Sequence, residues 1–295
     1  ACTMFKSRSL KEVGGYSTNV KAQDGWDVWL KLKDRVEFCS IDLPLFYYRK
    51  HGKSVSSNYK KIIKERGKII DRINFKNKGD YKLKILAVVP VKKDFLDIKN
   101  APYLKHKNKT LIEHTINSIR KSKMISDILV STNNKDIIKY TKKKFFKIKN
   151  IDYFLRPKKY EKSLFENLES LLLDASDYFK LKKNYLPDII VFFNIHVIRQ
   201  DTTHIDKGLK ILIEQQKDTV FSVVKEKNPI FSFKNGLMEV LNRGRFNNLD
   251  FNNETILRFN NSTIASWDSI IRNKTVFEGN LGFIETTEKD IYKIF

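Results

Sequence analysis

NKTLIEHTINSIRKSKMISDILVSTNN, residues 108–134, reads as a charged helix, a short turn, an apolar strand and then a polar cluster. The spacing predicts a helix over 109–123 and a strand over 127–132 that stops abruptly on Ser131-Thr132-Asn133-Asn134. Upstream, KILAVVPV at 84–91 is a continuous apolar run, as expected of a strand buried on both faces. Downstream the alternation continues with a helix at 134–145, a strand at 150–155, a helix at 164–180 and a strand at 188–195, then a helix at 204–216 and a strand at 219–224. Repeated strand–helix alternation predicts an α/β fold with a largely parallel sheet and right-handed crossovers.

In such sheets ligands bind outside the carboxyl ends of the strands. The residues to watch are therefore Pro90–Asn100, Ser131–Asn134, Arg156-Pro157 and Asn194–Arg199, which follow the first four strands and should converge on one edge. A strand ending in hydroxyls and amides offers hydrogen-bonding groups at a cleft. Ordinary loop capping is the competing reading, because Ser, Thr and Asn are common turn residues. His196 fits a general base at that edge or a loop histidine with a structural hydrogen bond. Asp201 fits a sugar or metal contact or the cap of the following helix.

The first 57 residues have a different flavour. SLKEVGGY suggests a short helix stopped by Gly14-Gly15, and DGWDVWLKLKD a helix with an apolar stripe of Trp26, Trp29, Leu30 and Leu32. VEFCSID and LPLFYYRK read as short strands around Pro44, NYKKIIKERGKIIDRI at 58–73 as a basic helix, and NFKNKGDYK as a linker. The expected boundaries are 1–57, a helix and linker over 58–83, and a second domain from 84 to 295.

The chain has 295 residues, 41% of them hydrophobic and 12% aromatic, which is globular rather than disordered composition. No apolar run reaches the length of about 20 residues that spans a bilayer, so no integral membrane segment is expected. The net charge is +23. It reads as biased composition, since the lysines are scattered, or as an anionic partner; nucleic acid is not the expected partner, because charge alone would carry that reading. Cys2 and Cys39 have neither metal-ligand spacing nor a disulfide framework, which suggests a cytoplasmic protein. The chain opens Ala1-Cys2-Thr3, and a fragment is the expectation.

From residue 84 the sequence resembles the acylneuraminate (CMP-sugar) cytidylyltransferases. The resemblance rests on LAVVPV, IKNAPYLKHKNKTLIEHTINSIRKSKMISDILVSTNNKDI, LRP, DIIVFFNIHVIRQDTTHIDKGLKIL and DTVFSVV, in that order. It implies a Rossmann-like nucleotide-diphosphosugar transferase sheet and transfer of CMP from CTP to an acidic sugar, usually with Mg²⁺. It also implies nucleotide contacts from Lys92, Lys99, Asn100, Ser131 and Thr132, sugar contacts from Asn194, His196 and Arg199, a catalytic role for Lys99, and a homodimer.

The sequence also departs from that pattern. PVKKDFLDIKN is about two residues shorter than the family loop and has no glycine, with Asp94 and Phe95 where small residues would admit phosphate. STNN replaces Ser-Thr-Asp-Asp, and NIHVIR keeps Arg199 as the evident anchor. A family metal-binding aspartate is expected beyond Phe295. A degenerate, non-catalytic nucleotide- or sugar-binding module, or a scaffold, is the alternative.

MFKSRSLKEVGGY, QDGWDVWLKL and PLFYYRKHGKSVS resemble the C-terminal part of a family 2, GT-A glycosyltransferase. That resemblance implies Asp24, with Asp27 as its neighbour, as the base toward an acceptor hydroxyl, and Arg49 and His51 near a donor diphosphate. Together the two resemblances imply a bifunctional enzyme of surface-polysaccharide synthesis.

Overall fold

The computed structural model describes residues 3–33, 35–39, 47, 61–62, 64–69, 83–95, 97–156, 168–199, 203–242, 245–246, 249–250, 255–273, 275–287 and 291–293. The chain divides into two compact units, one of Ala1–Leu83 with Ile213–Gln216 and one of Lys84–Leu212 with Lys217–Phe295.

In the first unit, helix α1 (Ser7–Glu12) stops at Val13. Gly14 follows at φ 75°, and the amides of Gly14 and Gly15 bond back to the carbonyls of Lys11 and Leu10 at 3.0 and 2.9 Å. This Schellman arrangement needs a left-handed residue, which glycine adopts without a Cβ penalty. Helix α2 (Asp24–Leu32) buries Asp27, Val28, Leu30 and Leu32. Residues 61–62 and 64–69 are helical, and Ile69 packs with Leu30, Trp26 and Trp29. The two tryptophans therefore serve a small core. Val36–Cys39 and Tyr47 form no strand, and the rest of the two strands expected around Pro44 lies outside the described residues.

The second unit is built on a seven-stranded sheet. Its strands are β1 (Ile85–Val91), β4 (Asp127–Thr132), β5 (Ile151–Leu155), β6 (Ile189–Phe193), β8 (Thr219–Lys225), β13 (Leu257–Trp267) and β14 (Leu281–Glu285), in the order β14-β8-β13-β6-β1-β4-β5. All neighbours pair parallel except β13, which is antiparallel to β6 and β8. Every residue of β1 is buried, which explains its unbroken apolar sequence. Helices α3 (Leu111–Ile119), α4 (Lys135–Lys144), α5 (Leu168–Lys183), α6 (Thr203–Glu214) and α7 (Asp268–Asn273) intervene. One core joins Leu86, Val88, Leu129, Leu172, Phe179 and Phe192 with Ile264 of β13. Each such side chain contributes about 1.5–3 kcal/mol on burial.

The short strands β2 (Lys105–His106) and β3 (Lys109–Thr110) form a hairpin before α3, and β7 (Val197–Arg199) pairs with β15 (Ile291–Lys293). β9 (Ile230–Lys234) and β10 (Leu237–Asn242) form a separate hairpin, and β11 (Arg245–Phe246) pairs with β12 (Leu249–Asp250).

Candidate functional site

The chain runs from β1 outward through β4 and β5, then returns to place β6 on the other side of β1. The strand order therefore reverses between β1 and β6, and a crevice for ligands is expected at the carboxyl ends of these two strands. The ladder between them ends at Val88 and Phe192, whereas β1 stays paired to β4 through Val91 and Thr132. Beyond that point the loop 92–100 follows β1 and the turn 194–196 follows β6.

The loop 92–100 is held by its own backbone. Phe95 and Ile98 exchange two amide–carbonyl bonds of 3.0 Å, and the Asn100 amide donates to the Asp94 carboxylate at 2.8 Å. Asn100 takes the left-handed conformation at φ 56°, which Asn tolerates better than most residues. Asp94 thus closes the loop, and the amides of Phe95, Ile98 and Asn100 are used inside it. Lys99 and Asn100 are exposed and Lys92 is half-buried.

Across the crevice, the side-chain oxygen of Asn194 accepts from the His196 amide at 2.9 Å and closes the turn after β6. The His196 ring is buried and stacks on Phe95, with centroids 3.9 Å apart and planes at 26°. Burial lowers the imidazole pKa to about 4, so the ring is neutral near pH 7. A base held that far below neutrality is a weak proton acceptor for a sugar hydroxyl. Arg199 belongs to β7, its backbone opposite Ile291; its side chain, like Asp201 as a whole, lies outside the described residues.

Ser131 and Thr132 are the last residues of β4, both fully buried. Thr132 Oγ1 accepts from the Asn134 amide at 3.2 Å, and Asn134 caps α4 by accepting from the amides of Asp136 and Ile137. Half of the polar cluster is therefore a helix cap. Ser131 Oγ has no hydrogen-bond partner among the described residues. Arg156 ties the edge together: its amide donates to Thr132 O at 2.7 Å and its buried guanidinium to Val91 O at 3.0 Å. A polar group that sequence reading missed lies on the other side of β1 and β6, on β13. Asn260 of β13 accepts from Ser222 Oγ at 2.6 Å and donates to Thr286 Oγ1 at 2.8 Å, next to a shift in the β13–β8 register.

The loop that carries Lys92, Lys99 and Asn100 and the turn that carries Asn194 and His196 thus meet through the Phe95–His196 stack, and Ser131 and Thr132 end the adjoining strand. Among the described residues no group of three or more His, Cys, Asp and Glu is placed to hold a metal ion.

No family model matches the chain, and no curated protein matches it in sequence. Solved structures match its fold. A 4-diphosphocytidyl-2C-methyl-D-erythritol synthase from Anaerococcus prevotii DSM 20548 is 14% identical, covers 72% of this chain and 92% of its own, and superposes with a TM-score of 0.51. This is the nucleotide-diphosphosugar transferase fold. Two other structures match at a TM-score of 0.48. A CMP:2-keto-3-deoxy-manno-octonic acid synthetase complexed with CTP is 10% identical and covers 69% of this chain and 90% of its own. A second 4-diphosphocytidyl-2C-methyl-D-erythritol synthase is 11% identical and covers 72% and 94%. Within the nucleotide-diphosphosugar transferase fold, the crevice between β1 and β6 is the point where the sheet's own topology favours a ligand.

In the first unit, Asp24 is the exposed first residue of α2, preceded by Gln23, which makes no side-chain cap bond. Asp27 has a structural part instead: its carboxylate accepts from Ser17 Oγ at 2.5 Å and pairs with Lys31 at 3.2 Å. Lys31 also donates to Gly15 O at 3.0 Å, which fixes the turn after α1 on α2. Arg49 and His51 lie outside the described residues.

Proposed function

We propose that the sheet unit is a nucleotidyltransferase of cytidylyltransferase type, acting on CTP and an acidic sugar. A sugar hydroxyl oxygen forms a bond to the α-phosphorus and the bond to the bridging oxygen breaks. The electron pair leaves with pyrophosphate, and the hydroxyl proton passes to water. The observation that supports this reading is the switch point between β1 and β6, flanked by Lys92 and Lys99 on one loop and by Asn194 and His196 on the other. In this reading the two lysines offset triphosphate charge and Lys99 stabilises the departing pyrophosphate. Asn100 contacts the nucleotide, and Asn194, Arg199 and a neutral His196 contact the sugar acid; Ser131 and Thr132, expected at the nucleotide, are fully buried and reach it only if the strand end opens. The described residues do not form a carboxylate cluster for Mg²⁺, so no step is routed through the metal; an ion carried by the triphosphate remains part of the proposal.

The first unit is proposed as glycosyltransferase-derived, with Asp24 as its base and Arg49 and His51 toward a diphosphate. The pairing of units suits a bifunctional cytoplasmic enzyme of surface-polysaccharide synthesis. No helix among the described residues is long and apolar enough to cross a membrane. A homodimer is part of the proposal. Its support is the β9–β10 hairpin, where Phe231, Phe233, Met238 and Val240 are all more than half exposed.

A second reading, a non-catalytic nucleotide- or sugar-binding module, is favoured by the Phe95–His196 stack across the crevice and by the loop amides already bonded internally. The deciding experiment incubates the protein with CTP, Mg²⁺ and a panel of acidic sugars and measures pyrophosphate. Sugar-dependent release that Lys99→Ala abolishes supports the enzyme. CTP binding without release for any sugar supports the module.

A further inference from the structure

Away from the β1–β6 crevice, a hollow of about 380 Å³ lies between one face of α3 and the turn that follows α4. Glu113, Asn117 and Arg120 recur at helical spacing on that face of α3, and Lys109 stands just before the helix. Lys144, Phe146 and Lys147 form the opposite wall. A second hollow of about 260 Å³ shares Arg120 and Lys147 and adds Lys149. No residue of 92–100 or 194–199 lines either one.

The charge balance is one-sided. Residues 105–149 carry 13 Lys and Arg against 3 Asp and Glu, a large share of the chain's net +23. The acidic group in the wall, Glu113, is already engaged. Its Oε2 accepts from the Thr110 amide at 2.7 Å, and its Oε1 pairs with Lys144 at 3.1 Å across the hollow. Burial pushes the Glu113 carboxyl up, but these bonds outweigh it and hold the pKa below its ordinary value. Lys109 and Arg120 are exposed, and among the described residues neither side chain has a hydrogen bond or ion pair. Lys147 lies 5.5 Å from the ring centroid of Phe146, which is 75% exposed. Three cations thus surround a concave space of ligand size, beside an exposed aromatic face. Concavity favours a small anion over a bilayer, which needs a flat or convex contact.

We propose that this hollow is a second anion site, separate from the crevice, that takes a di- or triphosphate group, held by Lys109, Arg120 and Lys147. The phosphate chain can be free or part of a nucleotide; a nucleotide would add its base against Phe146. This inference does not depend on the transferase reading, because none of its residues belongs to the crevice.

Calorimetric titration of the Lys99→Ala protein with inorganic pyrophosphate, inorganic triphosphate and CTP tests it, the Lys99 change lowering any contribution from the crevice. Saturable binding is expected, with affinity reduced tenfold or more by Arg120→Glu with Lys147→Glu and weakened by salt. CTP binding more tightly than inorganic triphosphate, with the difference lost in Phe146→Ala, assigns the site to nucleotides; equal affinity assigns it to free oligophosphate. Arg120→Gln with Lys147→Gln gives the same readout with less disturbance of charge if the reversal variant does not fold. Unchanged binding in both charge variants overturns the proposal. So does binding confined to a single-stranded oligonucleotide or to phosphatidylserine vesicles.

Discussion

His196 and Asp188 stand at opposite ends of β6, both buried and both shifted by burial toward the neutral form. Burial lowers the histidine to about 4. Burial, reinforced by the nearby Asp268 charge and opposed by the Lys84 amide, raises the aspartate to about 7. Between pH 4 and pH 6.5 the unfolded chain protonates His196 while the folded chain does not, so this residue makes stability rise with pH. Over the same window the folded chain keeps a proton on Asp188 that the unfolded chain has lost, so stability falls with pH. Each slope is about 1.4 kcal/mol per pH unit, and the two oppose each other. Urea unfolding of the Asp188→Asn protein should therefore show stability climbing from pH 4.5 to 6.5, and His196→Asn should show it falling. Equal slopes in both variants would refute these assignments. Of the two, His196 was legible in the sequence as a residue at a strand end. Its burial was not, because that depends on Phe95, a residue a hundred positions away.

At the scale of the element, the boundary of α3 shows how local signals decide. Hydrophobic spacing alone starts the helix at 109, but the helix begins at Leu111, because Thr110 caps it and shares a reciprocal capping box with Glu113. Thr110→Ala removes that cap, and a loss of about 1 kcal/mol in thermal unfolding is expected. The loop 92–100 shows the reverse case. Its composition disclosed the missing glycine, yet not that Asp94 would hold the Asn100 amide or that Phe95 would lie on His196, since both are settled by through-space packing. Phe95→Ala should uncover the imidazole, and its titration by NMR should move upward from about 4 toward the ordinary histidine range. If the stack is what obstructs the crevice, the same variant binds CTP several-fold more tightly. Unchanged affinity would show that the ring does not stand where the triphosphate enters.

At the scale of the whole molecule, the parallel part of the sheet was legible because strands covered on both faces spell unbroken apolar runs, as IIVFF does in β6. β13 was not, although it lies between β6 and β8. Its sequence LRFNNSTIASW places Asn260, Asn261 and Ser262 in mid-strand, where the register shifts, Asn261 turns left-handed and Asn260 is bonded to Ser222 and Thr286. Polar residues that read as a loop are there a buried network. The β9–β10 hairpin was missed for a related reason, as its apolar side chains find no core. Phe233 lies opposite Met238 and Phe231 opposite Val240, so these two cross-strand pairs are exposed apolar groups, with Leu237 and Leu241 exposed on the same ribbon. With one lysine, Lys234, and one glutamate, Glu239, it is also a neutral stretch in a chain of net charge +23, where two copies can meet with little like-charge repulsion. Sedimentation velocity should therefore show a concentration-dependent dimer that persists in high salt, since apolar contact is not screened. Phe233→Lys with Met238→Glu should yield a monomer with unaltered unfolding temperature, whereas a wild-type protein that stays monomeric at high concentration would exclude the homodimer.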